Sequence, residues 1–246
     1  MIDQMKADIL AISAHPDDVE ISCAGTIARM TSEGFRVAIV DCSRGELGSR
    51  GSIELRAAEA ANADKVMGIF KRVNLGLPDG RLMPNPDYIL EVAKQIRIFR
   101  PKIILFPPAF ERHPDHEGVH RILRAAAFHS GLRKIELKDQ AGNILEPWRA
   151  DRLFCFIQAY HHDPDFIIDI SPYLEQKIRA VQCYSSQVYV PGEHDDSEPE
   201  TFISTPQFFE SITNRSRYLG SMIGVEHAEG FLSIEPLSFN SLSVFL

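Results

Sequence analysis

The sequence predicts an α/β protein, Rossmann-like and doubly wound. Its mostly parallel sheet has strand order about 3-2-1-4-5, with helices on both faces. Three observations predict this. Short apolar runs alternate four times with segments of helical period. The runs are apolar at successive positions, as strands buried on both faces require. Two His/Asp clusters, Ala14–Asp18 and His113–His116, each stand directly after such a run, where ligands collect in these folds.

Asp8–Ala14 reads as the first strand and breaks at Pro16. Ile21, Ala24, Ile27, Ala28 and Thr31 then recur at helical spacing, and Gly34 ends that helix. Arg36–Asp41 is the second strand; it leads into the glycine-bearing loop Ser43–Gly51 and an alanine-rich helix to about Met67. Arg72–Leu77 is the third strand, closed by the turn Pro78-Asp79-Gly80. Ile89, Val92, Ile96 and Phe99 mark one helix face, and Pro101 stops that helix before the fourth strand, Lys102–Pro107. The helix after the second cluster carries Val119, Ile122, Leu123 and Ala126. Phe154–Gln158 and Phe166–Ile170 add strands, and Ser171-Pro172 opens a helix with Ser171 as its N-cap. A final helix spans about Pro206–Met222, with Gly224 beyond its end.

A chain of 246 residues suits one domain. Residues 1–135 read as the core, and 136–246 as strands and helices that complete the pocket. The formal charge of −8, without a long basic stripe, argues against nucleic-acid binding. No apolar stretch approaches the roughly 20 residues of a membrane span, and the N-terminus lacks the layout of a signal peptide. Cys23, Cys42, Cys155 and Cys183 are scattered, which fits reduced thiols in a cytoplasmic protein rather than a cysteine zinc site. The acidic patch at 192–200 reads as a solvated loop.

In the order 3-2-1-4-5, strands one and four are neighbours at the switch point, so topology brings the two clusters together. His15 and Asp18 can bite one ion, and a histidine of the second cluster completes a three-ligand site with a position left for water. Asp17 remains free to receive a proton. The bland alternative makes Asp17, Asp18 or Asp115 a helix cap. His161-His162-Asp163 precedes a strand and reads as structural or rim. His120, one turn beyond His116, reads as support behind the ligands, while His129, His194 and His227 carry no argued role. A nucleotide-dependent oxidoreductase would need a glycine-rich turn where His15-Pro16-Asp17-Asp18 stands.

At these residues the chain resembles the zinc-dependent de-N-acetylases of the LmbE/PIG-L family, whose AHPDD-type and HPDH-type motifs stand here unbroken. The likeness is strongest to the bacillithiol-biosynthesis deacetylases, through Glu46–Ser49, Asn74–Asp79, Pro164–Ser171 and Gly224–Phe231. The resemblance implies that His15, Asp18 and His116 hold zinc, with another divalent metal as the alternative, and that Asp17 is the general base. It also implies that a protonated His113 meets the oxyanion or assists the leaving amine, and that Asp115 orients His113. Arg56 matches a substrate-contacting position, and Asp79 is expected to bind sugar hydroxyls. The implied reaction is removal of the N-acetyl group of N-acetylglucosaminyl-malate. One or two of Arg44, Arg50 and Arg56 are expected to pair with the malate carboxylates. The alternatives are a chitobiose-type or lipid-linked glucosamine deacetylase, or a metal-binding protein without catalysis. Relatives are commonly homo-oligomers, and the same is expected here.

Overall fold

Strand β1 (Ile9–Ser13) and strand β2 (Val37–Asp41) are buried at every position, which their unbroken apolar runs require. The structure is a computed structural model that describes residues 5–192 and 197–245. Four residues of the acidic patch, 193–196 and thus His194, lie outside the described residues. In chain order the further elements are α1 (Asp18–Ser32), α2 (Ile53–Met67), β3 (Lys71–Asn74), α3 (Pro86–Phe99), β4 (Ile103–Phe106) and α4 (Pro114–Ser130). After these come β5 (Arg152–Phe156), β6 (Phe166–Asp169), α5 (Leu174–Gln182), α6 (Pro206–Ile223) and β7 (Ala228–Ser233).

The sheet order is β3-β2-β1-β4-β5-β7-β6. The first five strands are mutually parallel in the predicted order; β1 pairs with β2 (Ile9 opposite Val37) and with β4 (Ile9 opposite Ile103). β7 then runs antiparallel between β5 and β6. One apolar layer beneath the sheet includes Leu10, Val40, Ile96, Phe106 and Ile122; the layer on the other face includes Ile9, Ile27, Ile39, Phe156 and Tyr184. Helices therefore cover both faces, and β1 and β4 lie side by side at the reversal of strand order.

Two sequence expectations fail locally. β7 has no counterpart in the sequence reading, because Glu229 and Gly230 interrupt its apolar run. Ser171 is not an N-cap: its N–H and Oγ both bond Asp169 Oδ1, at 2.8 and 2.7 Å. A short 3-10 turn, Ser171–Tyr173, precedes α5 instead.

Candidate active site

The loop after β1 folds back on itself. The N–H groups of Ala14 and His15 both donate to Asp18 Oδ2, at 3.1 and 2.9 Å. Asp18 Oδ1 accepts from Gln158 Nε2 at 2.7 Å and lies 3.1 Å from His116 Nε2. His15 Nδ1 stands 3.6 Å from Asp18 Oδ2. One carboxylate from the first cluster thus sits between an imidazole of each cluster, and the switch point does bring them together.

The other nitrogen of His15 is also occupied. Nε2 lies 3.0 Å from Asp79 Oδ1 and 3.4 Å from Asp115 Oδ2. Carboxylates at Nε2 fix the tautomer with the hydrogen there and leave Nδ1 as the electron-pair donor. Both carboxylates are anchored in turn. Asp79 Oδ2 accepts from the Leu47 N–H, and Asp115 accepts from the Gly80 and Leu82 N–H groups.

The residues fit a divalent ion. Ring nitrogens of His15, His113 and His116 lie within 4.8 Å of one another, as do His15, Asp79 and Asp115 in a second grouping. Of the three imidazoles, the carboxylates of the second grouping meet only His15, both at Nε2, so they suit support of that ring rather than ligation. Asp18, which touches both His15 and His116, suits the ligand role better. His116 Nδ1 and Gln158 Oε1 are buried without a hydrogen-bond partner among the described residues. Burial works to lower the His15 pKa, but contacts with Asp115, Asp18 and Asp79 outweigh it and hold the ring well above its ordinary value. Buried negative charge in excess of its counter-ions is what a cation site presents. The mixture of imidazole nitrogen and carboxylate oxygen suits zinc.

Asp17 precedes α1 with φ 116° and ψ −26°, a left-handed conformation rare outside glycine. Its side chain makes no cap hydrogen bond. Instead, Oδ2 accepts from Arg56 Nη2 at 2.5 Å. Arg56 also donates from Nε to the Pro16 carbonyl at 3.1 Å. Burial pushes the Asp17 carboxyl up to about 6; Arg56 opposes that push and the neighbouring Asp18 adds to it. Asp18 is also driven up by burial, yet His116 and His15 hold it well below the usual carboxylate range. The adjacent carboxylates are thereby split: one is kept ionised, the other can carry a proton.

His113 is itself the N-cap of α4, with Nδ1 accepting from the Asp115 N–H at 3.2 Å. That leaves Nε2 to carry the hydrogen. Burial, with His15 and His116 nearby, lowers the His113 pKa. Two expectations therefore change. In this structure His113 Nδ1 is an acceptor, and the Asp115 backbone rather than its carboxylate is what meets the ring.

A cavity of about 350 Å3 opens over these groups. His15, Asp17, Asp18, Arg56, Asp79, His113 and His116 line it with Gln158, Arg112 and Phe202. Arg44 and Arg50 do not. Arg44 packs against Gly76, and Arg50 is buried, bonded to the carbonyls of Ser186, Glu198 and Pro199. Arg56 borders the cavity, but its guanidinium is committed to Asp17 and Pro16. Asp79, expected on sugar hydroxyls, spends both oxygens on His15 and Leu47. His120 Nδ1 donates to the Pro107 carbonyl at 3.0 Å rather than contacting the ligands. His161 and His162 stand outside the cavity lining, His162 meeting the Phe110 carbonyl at 3.0 Å.

The sequence reading missed Gln158 and Arg112. Gln158 follows β5 at its carboxyl end, the position that marks ligand-facing residues in this fold, so a signal was present. Arg112 directly precedes the second cluster, with its guanidinium 4.0 Å over the Phe202 ring. Glu111 ties this loop to the one after β5, accepting from the Ala159 and Tyr160 N–H groups.

The family model for PIG-L, GlcNAc-PI de-N-acetylase, matches residues 10–127. Diacetylchitobiose deacetylase of Thermococcus kodakarensis is 30% identical over a 232-residue alignment that covers 90% of this chain and 81% of that protein. Among solved structures, the conserved protein TT1542 of Thermus thermophilus is 36% identical, with TM-score 0.84 over 96% of this chain and 99% of that one. A 4-carboxy-2-hydroxymuconate hydratase of Pseudomonas putida shares the fold at 19% identity, with TM-score 0.74 over 97% of this chain and 100% of that one. The fold therefore does not fix the reaction. The two intact clusters, the family match across the core and the near-full-length deacetylase relative agree, and the chain belongs to the PIG-L (LmbE) family of de-N-acetylases.

Proposed function

We propose that this protein hydrolyses the N-acetyl group of an N-acetylglucosamine conjugate. The observation that carries the reading is Asp17: a buried carboxyl paired with Arg56, on the cavity wall beside His15, Asp18 and His116. A non-catalytic metal module has no use for such a group.

His15, Asp18 and His116 would hold the ion, zinc by their donor chemistry. When bound, zinc supplies Lewis acidity to the amide carbonyl and to water. Asp17 accepts the proton of the attacking water as its oxygen bonds to the acyl carbon, and Arg56 keeps the carboxylate aimed. His113, through Nε2–H, donates to the carbonyl oxygen as negative charge gathers there. The carbon–nitrogen bond breaks as a proton reaches the nitrogen. Asp17 holds that proton, and the water's second proton leaves on the new carboxyl group, so the products are a free amine and acetic acid, which ionises to acetate.

The preferred substrate in this reading bears an anionic aglycone, as N-acetylglucosaminyl-malate does. Arg112 supports it: it lines the cavity, and its guanidinium has no carboxylate partner among the described residues. A chitobiose-type substrate is the second reading, favoured by the deacetylase relative that matches 90% of the chain.

Acetate release from N-acetylglucosaminyl-malate, diacetylchitobiose and N-acetylglucosaminyl-inositol, with and without a chelator, tests both. Chelator-sensitive release, fastest with the malate conjugate, is the expected result. Fastest release from chitobiose selects the second reading. No release from any conjugate overturns the deacetylase assignment.

A further inference from the structure

Helix α1 is broken. Cys23, at φ −138° and ψ 21°, divides Asp18–Ser32 into a first turn ending at Ser22 and a longer run from Ala24. A break strands carbonyls on one side and N–H groups on the other, and buried ones must find partners. Here a single ion pair serves both sides. Lys177 Nζ of α5 donates to the Ser22 carbonyl at 3.1 Å and to Glu229 Oε1 at 2.6 Å. Glu229 of β7 accepts from the Gly25 N–H at 3.0 Å through Oε1 and from the Thr26 N–H at 2.7 Å through Oε2.

Glu229 thus caps the start of the second segment, and Lys177 caps the end of the first. Both side chains are only 3% exposed. Gly25 completes the fit: a Cβ there would stand 2.7 Å from the Ile170 side chain, so α1 lies directly against the chain between β6 and α5. The same pair accounts for the Glu229 that interrupts the apolar run of β7.

The first segment bears Asp18 and follows Asp17. A single turn is too short to hold helical geometry by itself. At its leading end it is held through Asp18 by His15, His116 and Gln158. Its middle is tied through Glu20 to Arg72 and Tyr184, and at its trailing end Lys177, which Glu229 fixes, holds the Ser22 carbonyl. We propose that Lys177 and Glu229 are positioning residues: from α5 and from β7, beside the sheet's edge strand, they set the direction of the turn that presents Asp17 and Asp18 to the metal and substrate. This rests on the metal reading of the cavity.

The test compares wild type with Lys177→Met/Glu229→Gln, in which neither charge is left buried alone. Three properties are read: the zinc dissociation constant by chelator competition, the visible absorption of the cobalt(II)-loaded protein, and thermal unfolding by circular dichroism. Arg97→Met is the control. Arg97 is also buried and donates to the carbonyls of Ser130, Leu132, Ile135 and Leu145, none of which lines the cavity.

The double variant is expected to bind zinc about tenfold more weakly, as loss of outer support does elsewhere, and to show a shifted cobalt(II) band. Arg97→Met is expected to melt earlier with both metal readings unchanged. Unaltered zinc affinity and cobalt(II) spectrum in the double variant overturn the proposal, as does an equal loss in the control. Should the double variant fail to fold, Lys177→Gln/Glu229→Gln decides by the same criteria: the shorter side chain at 177 releases the Ser22 carbonyl, the amide oxygen at 229 still accepts from an N–H, and no charge is left buried alone. A wild-type chain that binds no zinc overturns the metal reading itself.

Discussion

Arg56 and Asp17 form a buried ion pair, Nη2 to Oδ2 at 2.5 Å, in which the arginine comes from α2 and the aspartate from the strained residue before α1. The pair links the cavity to α2, a helix that carries none of the proposed metal donors. Burial that would otherwise neutralise Asp17 is opposed by a charge that neither titrates nor moves. Asp17→Asn is therefore expected to retain zinc, because Asp18 and the histidines are untouched, and to lose about 10²- to 10⁴-fold in kcat. Elemental analysis beside steady-state rates checks both halves. Near-normal turnover would remove Asp17 from proton transfer.

Asp79 and Asp115 hold His15 from behind through Nε2, each steadied by backbone N–H groups. Asp79→Asn is expected to weaken zinc binding about 10- to 100-fold, because an amide cannot enforce the same tautomer on His15. A chelator titration reads this directly. If Asp79 instead bound substrate hydroxyls, the variant would raise KM and leave zinc affinity intact.

The strand order and the meeting of the clusters were legible because both follow from local pattern and one topological rule. The short apolar runs Ile9–Ile12 and Val37–Val40, bounded by turn signals, suit buried strands, and the reversal of order places β1 beside β4. Side-chain direction on loops was not legible in this way. Arg50 turns away from the cavity because carbonyls of Ser186, Glu198 and Pro199, far along the chain, capture it. Asp79 turns onto His15 rather than outward for the same kind of reason. β7 escaped notice because a buried glutamate breaks its pattern, and only the three-dimensional fold supplies the Lys177 and N–H partners that make such burial tolerable.

Gly118 lets the 79–83 turn close over α4. A Cβ at this position would stand 1.6 Å from the Leu82 carbonyl oxygen, a backbone atom that cannot step aside alone. The same turn supplies the N–H groups of Gly80 and Leu82 to Asp115. Gly118→Ala is expected to cost about 1–3 kcal/mol as an overpacked site and to displace the turn from His15. Lower thermal stability together with weaker zinc binding would show the coupling. A stable variant with wild-type affinity would show that the turn adjusts freely.

Arg72 is ringed by three acids: Asp41 at 2.7 Å, Glu20 at 2.7 Å and Asp64 at 3.1 Å. One guanidinium cannot compensate all three, and Asp64 is the most exposed of them, at 18%. Burial pushes Asp64 up to about 6, with Arg72 opposing and Glu20 adding to the rise. A raised acid binds its proton more tightly in the folded state than in the unfolded one, where its value is 3.8. Its contribution to stability is therefore present below pH 3.8 and is lost as pH rises through about 6. The difference converts to at most about 3 kcal/mol, reduced by the partial exposure of the side chain. Asp64→Asn should raise the melting temperature at pH 8, leave it little changed near pH 4, and flatten the dependence between. A variant that melts lower than wild type at pH 8 would mean that the Asp64–Arg72 attraction outweighs the crowding of the three acids.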